Sequence, residues 1–263
     1  MNLSMYQVDA FTSRVLGGNP AAVVPLDQWL EETLMQSIAA ENNLSETAFL
    51  IPAGEDYHLR WFTPTHEVPL CGHATLASAF VVFSVLEPSR SSVCFETLSG
   101  RLEVRKGEGG FLEMEFPRYA PAPCQAPAEL LDGLSSRPRE VLSTQADPNY
   151  YAVYNTERQV RALHPDLASL ARLHPYGVAV TAPGEGADFV SRYFAPSYGI
   201  PEDPVTGSIH CALVPYWAAR LGKNKLHARQ VSKRGGELYC QDLPEAVLIA
   251  GQAAQYLVGE LSI

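Results

Sequence analysis

Three short stretches hold the residues best suited to chemistry. "CGHATLASAF" begins Cys71-Gly72-His73 and runs into an apolar stretch with no Asp, Glu, Lys or Arg through Leu86. "DPVTGSIHCAL" sets Asp203, Gly207 and Ser208 at the head of a second such run. In each, a glycine lets the backbone turn tightly and the next residue opens a buried helix. The first amides of a helix and the positive end of its dipole favour an anion. The third stretch, "NNLSETAFL", places Glu46 where the pattern turns apolar. A carboxylate entering an apolar strand is costly unless it is paired, faces a cleft or is protonated. Burial would raise its pKa towards the range of a general acid/base at neutral pH. The chemistry these residues suggest is a proton transfer on a substrate whose carboxylate sits at a helix mouth.

Each motif alone also has a plainer reading. Ser208 serves as a helix N-cap, Gly72 as a turn, Glu46 as a solvated strand end, Asp203 as a turn residue before Pro204, and His73 as a hydrogen-bonded core histidine. Gly17-Gly18-Asn19-Pro20 reads as a hairpin or tight loop, although Gly18 and Asn19 also let backbone approach a ligand closely. What favours function is recurrence. Arg60-x-Phe62-x-Pro64 is matched by Arg192-x-Phe194-x-Pro196, and each is followed by a Pro-containing loop, a glycine and an almost charge-free run. The second copy is three residues longer, with the extra positions expected around Glu202-Asp203-Pro204.

The elements that must position these groups follow from the same duplication. The run from about His73 predicts a helix of roughly 14 residues, about 21 Å long at ~1.5 Å per residue, against a hydrocarbon core of ~30 Å. It is too short to span a bilayer and reads as a core helix. "MYQVDAF", "AAVVPL", "TAFLIP", "YHLRWFT", "SVCFETL", "RLEVRK", "FLEMEFP", "YGVAVTAP", "DFVSRYFAP", "ELYC" and "AVLIAGQAAQYLVGELSI" read as strands, as does the stretch from Gly133 to Asn155. Further helices are predicted from Leu26 to about Asn42, with Asp27 as cap, and over about 166–173. A helix apolar all round needs walls, which many short strands provide by curling. The predicted class is therefore α+β: two pseudo-symmetric domains, each a β-barrel-like sheet wrapped around a central apolar helix. The expected division is 1–118 and 119–253, with the strand at 254–263 returning to the first half and the site in the cleft between them.

Composition narrows the partners. A net charge of −10 with 19 scattered Lys and Arg gives no basic stripe for nucleic acid or for an anionic membrane. The N-terminus lacks the pattern of a secretory signal, and five cysteines without CxxC spacing suggest free thiols in a reducing compartment, hence a cytoplasmic protein. No dinucleotide fingerprint, phosphate loop or nucleophile elbow is present.

"DAFTSRVLGGNPAAVV", "NLSETAFL", "RWFTPTHEVPLCGHATLASA", "DPVTGSIHCAL" and "QVSKRGGEL" together resemble the phenazine-biosynthesis-type (PhzF-like) isomerase family, which has the diaminopimelate epimerase fold. The resemblance implies a cofactor-independent, metal-free acid/base isomerase acting on a small carboxylate, with a homodimer as the assembly to expect. It implies Glu46 as the proton shuttle, His73 and Asp203 as assisting groups, and Ser208 with the amides of Gly72, His73, Gly207 and Ser208 at the substrate; Gly18 and Asn19 join them as the backbone able to approach a ligand. Related epimerases oppose two cysteines. Here Cys71 takes the first such place and Asp203 is read at the second, which argues against two-thiol chemistry. A binding module on the same fold is the alternative, and a thiol enzyme using Cys71, its pKa lowered at the helix mouth, is a further one, although Cys71 reads more readily as a small unreactive neighbour of the site. Two residues apart on a helix, Cys71 and His73 are expected to point in different directions.

Overall fold

The computed structural model describes residues 1–263, and the chain divides into two units, Met1–Glu115 with Ala250–Ile263, and Phe116–Ile249. The first begins with the antiparallel strands β1 (Asn2–Ala10) and β2 (Asn19–Pro25). β2 runs parallel to β3 (Glu46–Ala53), with Ala21 opposite Glu46, so the chain must cross over, and α1 (Glu32–Asn42) lies in that crossover. β3 and β4 (Asp56–Phe62) form a hairpin, and β5 (Glu67–Val68) pairs with the end of β4. α2 (Gly72–Val81) leads to β6 (Ser92–Thr97), which is parallel to β4. β7 (Gly100–Lys106) and β8 (Leu112–Pro117) follow antiparallel.

In the second unit β9 (Ala122–Pro123) pairs with β10 (Glu140–Ser143), and α3 (Ala128–Gly133) lies between them in sequence. β11 (Asn149–Val153) is antiparallel to β10 and parallel to β12 (Gly177–Pro183); α4 (Glu157–Arg161) and α5 (Leu167–Ala171) make the crossover. β13 (Phe189–Ala195) returns antiparallel to β12 and pairs with β14 (Ile200–Asp203). α6 (His210–Leu221) then precedes β15 (Lys225–Gln230), parallel to β13, and β16 (Gly236–Asp242), antiparallel to β15. β17 (Ala246–Gly251) is followed by β18 (Ala253–Ser262), which pairs antiparallel with β1, Asn2 opposite Ser262.

This is the predicted α+β class: mixed sheets, each lying against one apolar helix. Eight of the ten α2 residues are buried, and α2 packs on β1, β2, β3 and β18. Its buried hydroxyls are satisfied locally: Thr75 donates to the Cys71 carbonyl (2.6 Å) and Ser78 to that of Ala74 (2.7 Å). The run then widens into a π-helical turn at Val82–Leu86. α6 carries Pro215, which cannot donate to the carbonyl four residues earlier. That carbonyl, of Cys211, instead accepts from the Tyr119 amide at 2.9 Å. No helix is long and apolar enough to cross a membrane.

Several elements differ from expectation. α1 starts at Glu32 rather than near Leu26, and Asp27 caps nothing, because the Leu26 amide still bonds to Leu50 O (2.8 Å) as an extension of the β2–β3 ladder. Ser208 is not an N-cap: Gly207 and Ser208 form a tight turn (His210 N to Gly207 O and Cys211 N to Ser208 O, both 3.0 Å), and α6 begins two residues later. Cys211 therefore lies in the first turn of α6, where it is buried. The 133–155 stretch holds only β10 and β11, and α3, α4 and β15 are additional.

The duplication is written in side chains as well as in sequence. Arg60 binds Glu67 through two bonds (2.7 and 2.6 Å) with its guanidinium 5.1 Å from the Phe62 ring. Arg192 binds Glu202 the same way (2.7 and 3.0 Å), 4.9 Å from the Phe194 ring. Each bidentate pair ties the strand before a helix mouth back to the preceding strand. Because the glutamates are already offset by the longer spacing, the three extra residues lie ahead of Glu202, at the short helical turn Pro196–Tyr198, and not at Glu202–Pro204. Strand register agrees: Trp61 pairs with Val68 as Tyr193 pairs with Asp203. Asp203 is thus the counterpart of Val68, and Thr206 rather than Asp203 is the counterpart of Cys71.

The α6 mouth also contains a titrating core group. His210 is fully buried, its Nδ1 2.8 Å from the Thr206 carbonyl, and Nε2 has no partner. Burial pushes its pKa down to about 4, with the backbone bonds to Thr206 and Gly207 opposing. A depressed pKa means stability is intact above the unfolded value, near 6.5, and lost as pH falls through the folded one. The expected loss is about 3 kcal/mol between those limits. Urea denaturation at pH 7 and pH 4 should show it in wild type and not in His210→Asn; equal acid losses would contradict it.

Candidate active site

β3 begins at Glu46 because the ladder to Ala21 starts there, and this holds the carboxylate at the strand mouth with 8% of the residue exposed. α2 begins at Gly72, so His73 is its second residue, and the first intrahelical bond is Thr75 N to Cys71 O (3.1 Å). The amides of Gly72, His73 and Ala74 precede that ladder. Glu46 Oε2 stands 3.0 Å from His73 Nε2 with both side chains buried. The approach is off the line of a hydrogen bond, so it is an ion-pair contact in which both atoms lack an aligned partner.

On the other edge of the ring, Asn19 Nδ2 is 3.2 Å from His73 Nδ1, and Ser45 Oγ donates to Asn19 Oδ1 (2.9 Å). This relay suits both ring states. The amide N–H donates to Nδ1 of the neutral ring; turned over, the amide offers its oxygen to the cation, and the Ser45 hydroxyl donates or accepts to match. Asn19 is placed by Gly18, whose φ is +58° and whose added Cβ would lie 2.1 Å from the Ala10 carbonyl. Gly18 therefore acts through backbone geometry.

Cys71 corrects one expectation and decides between two readings. Its Sγ lies 3.4 Å from His73 Nδ1, so the two side chains do meet despite being two residues apart. Its thiol is not activated: burial, reinforced by the Glu46 charge, pushes its pKa up to about 11. Cys71 is a neutral thiol at pH 7, which removes the ground for a thiol enzyme. Burial opposes the imidazolium of His73, but the neighbouring Cys71 and Glu46 outweigh it and hold His73 well above its ordinary pKa. With the thiol protonated, the Glu46 carboxylate is the charge responsible. Glu46, Cys71 and His73 form a compact donor cluster, yet Glu46 meets Nε2 and Cys71 meets Nδ1. Those nitrogens point away from each other, so the three donors do not converge on one ion.

The second unit places Asp203 at the end of β14, with the Thr206 hydroxyl donating to its Oδ2. Gly207 is buried and Ser208 exposed in the turn before α6. The structure thus brings Glu46, His73, Asn19, Gly18 and Gly72 together in one unit, and Asp203, Gly207 and Ser208 on one loop of the other.

A family model described as "Phenazine biosynthesis-like protein" matches residues 8–259. The chain belongs to the phenazine biosynthesis-like family. An uncharacterized isomerase of Pseudomonas aeruginosa is 50% identical over 263 residues, covering all of both chains. The crystal structure of a phenazine biosynthesis protein of the PhzF family from Enterococcus faecalis superposes with a TM-score of 0.95 at 43% identity, again over all of both chains. That of a PhzC/PhzF protein from Clostridium difficile gives 0.92 at 41%, over 99% of this chain and all of the other.

For this phenazine biosynthesis-like protein, two polar groups at the second mouth were not singled out from the sequence. Thr206 lies within "DPVTGS" and Gln230 opens "QVSKRGG", and residue type alone gives neither a role. A signal existed: in "KLHARQ" the alternation sets Leu226, Ala228 and Gln230 on the buried face, so an amide stands where an apolar residue is expected.

Proposed function

We propose that the protein is a cofactor-independent isomerase that moves a proton between carbons of a small, unsaturated or amino-bearing carboxylate. The carrying observation is the buried contact of Glu46 with His73 beside the leading amides of α2. Glu46 takes a proton from carbon, leaving an electron pair that delocalises towards the substrate carboxylate. It then returns that proton at the conjugated position, so one bond to hydrogen breaks and one forms with no net oxidation. The substrate carboxylate is held by the amides of Gly72 and His73, whose helix dipole stabilises the added charge. His73 and its Asn19–Ser45 relay fix the Glu46 carboxylate and follow its charge. Asp203, Gly207 and Ser208, at the mouth of α6, are the further residues this reading assigns to substrate.

The test is conversion. A panel of cyclic dienoic acids, amino acids and keto acids is incubated with the protein and followed by NMR. A double-bond shift in at least one member is the expected result. Ligands that raise the melting temperature and are never converted would make the protein a binding module.

A further inference from the structure

Gln230 ends β15 with 1% of the residue exposed. A primary amide is costly to bury unless both its ends are bonded. Its Oε1 accepts from the Thr206 amide (2.9 Å), and its Nε2 donates to the Asp203 carbonyl (2.8 Å) and to Thr206 Oγ1 (3.2 Å). An amide nitrogen only donates, so the Thr206 hydroxyl must accept from it, and its single proton is left for Asp203 Oδ2. Two residues on, Ser232 Oγ donates to the Pro204 carbonyl (2.8 Å) and accepts from the Gly235 amide (3.1 Å). The "QVSKRGG" segment thereby grips the Asp203–Thr206 loop through both Gln230 and Ser232.

We propose that Gln230 is a positioning residue for Asp203, fixing the direction of the Thr206 hydroxyl proton and so the orientation and ionised state of the Asp203 carboxylate. Its catalytic value rests on the proposal that Asp203 belongs to the site, but its test does not need turnover. Other charged and titratable groups also face this loop. His210 faces it from α6, its Nδ1 2.8 Å from the Thr206 carbonyl and its pKa lowered by burial to about 4. Tyr193 lies opposite Asp203 on β13, its pKa raised chiefly by burial so that it stays neutral. Arg192 and Glu202 are paired with each other, and Lys233 and Arg234 lie on the gripping segment itself.

The experiment is a carbon-13 titration of protein labelled at Asp Cγ, with the Asp203 signal identified by its loss in Asp203→Asn. Wild type is compared with Gln230→Met, Thr206→Val and Thr206→Ser. A hydrogen bond to the ionised form lowers a carboxyl pKa, so the Asp203 midpoint should rise by about one unit in Gln230→Met and Thr206→Val. Thr206→Ser, which keeps the hydroxyl, should hold the wild-type value. Unchanged midpoints in the Met and Val variants would overturn the proposal. If Gln230→Met does not fold, Gln230→Asn, one methylene too short to reach, takes its place under the same expectation. Where the carboxylate panel yields a substrate, the Gln230 variant should lose roughly tenfold in kcat with KM unchanged. Absence of any substrate would count against the isomerase reading and leave the titration result standing.

Discussion

Glu46→Gln binds the carboxylates that wild type binds and converts them at least about a thousandfold more slowly, the upper range for losing a positioned acid/base. The amide matches the carboxylate in size and still presents an oxygen to His73 Nε2, so the strand mouth keeps its shape. What disappears is the carboxylate proposed to accept the proton from carbon and return it. Cys71 remains a thiol at neutral pH and cannot substitute; His73 stays in place to hold the oxygen of the amide. Initial rates by NMR, with affinities from ligand-induced melting shifts, separate the two effects. A Glu46→Gln variant retaining a tenth of the wild-type rate would remove Glu46 from the mechanism, as would equal loss of binding and turnover.

Arg192→Met lowers the stability to urea by about 3 kcal/mol, the range for breaking a largely buried ion pair by removing one partner. Arg192 is 12% exposed in its side chain, and besides its two bonds to Glu202 it donates to the carbonyls of Val160 (3.1 Å) and Leu163 (2.9 Å) at the end of α4. Methionine preserves much of the stem and leaves those three acceptors without the cation. Glu202 precedes Asp203, so the same variant should lose conversion beyond what instability explains. The urea midpoint should fall with the m-value unchanged. A loss under 1 kcal/mol would show that the pair contributes no more than an exposed one. The counterpart Arg60 shares its charge between Glu67 and the exposed Glu32, so Arg60→Met should cost less.

The sequence disclosed most where pattern and chemistry coincide. An apolar run beginning at Gly72-His73 can only be a buried helix, and the repeated Arg-x-Phe-x-Pro announced a duplicated architecture. Strands with clean alternation were readable for the same reason. Boundaries set by tertiary bonding were not. Leu26 looks like the start of a helix, but its amide is engaged by Leu50 across the sheet. Pro215 inside α6 is tolerated because Tyr119, almost a hundred residues earlier, supplies the missing donor. At the site, residue types suggested Glu46, His73 and Asp203, whereas the meeting of Cys71 with His73 depended on side-chain directions at one helix mouth. Gln230 escaped because its partners are 24 and 27 residues away, a separation that local pattern does not register.

The most direct test of the central claim is proton NMR in D₂O of the same carboxylate panel, wild type beside Glu46→Gln. Deuterium appearing at a carbon position of a substrate with wild type, and not with Glu46→Gln, is the result expected if Glu46 moves protons to and from carbon. Exchange at equal rates in both proteins would contradict it.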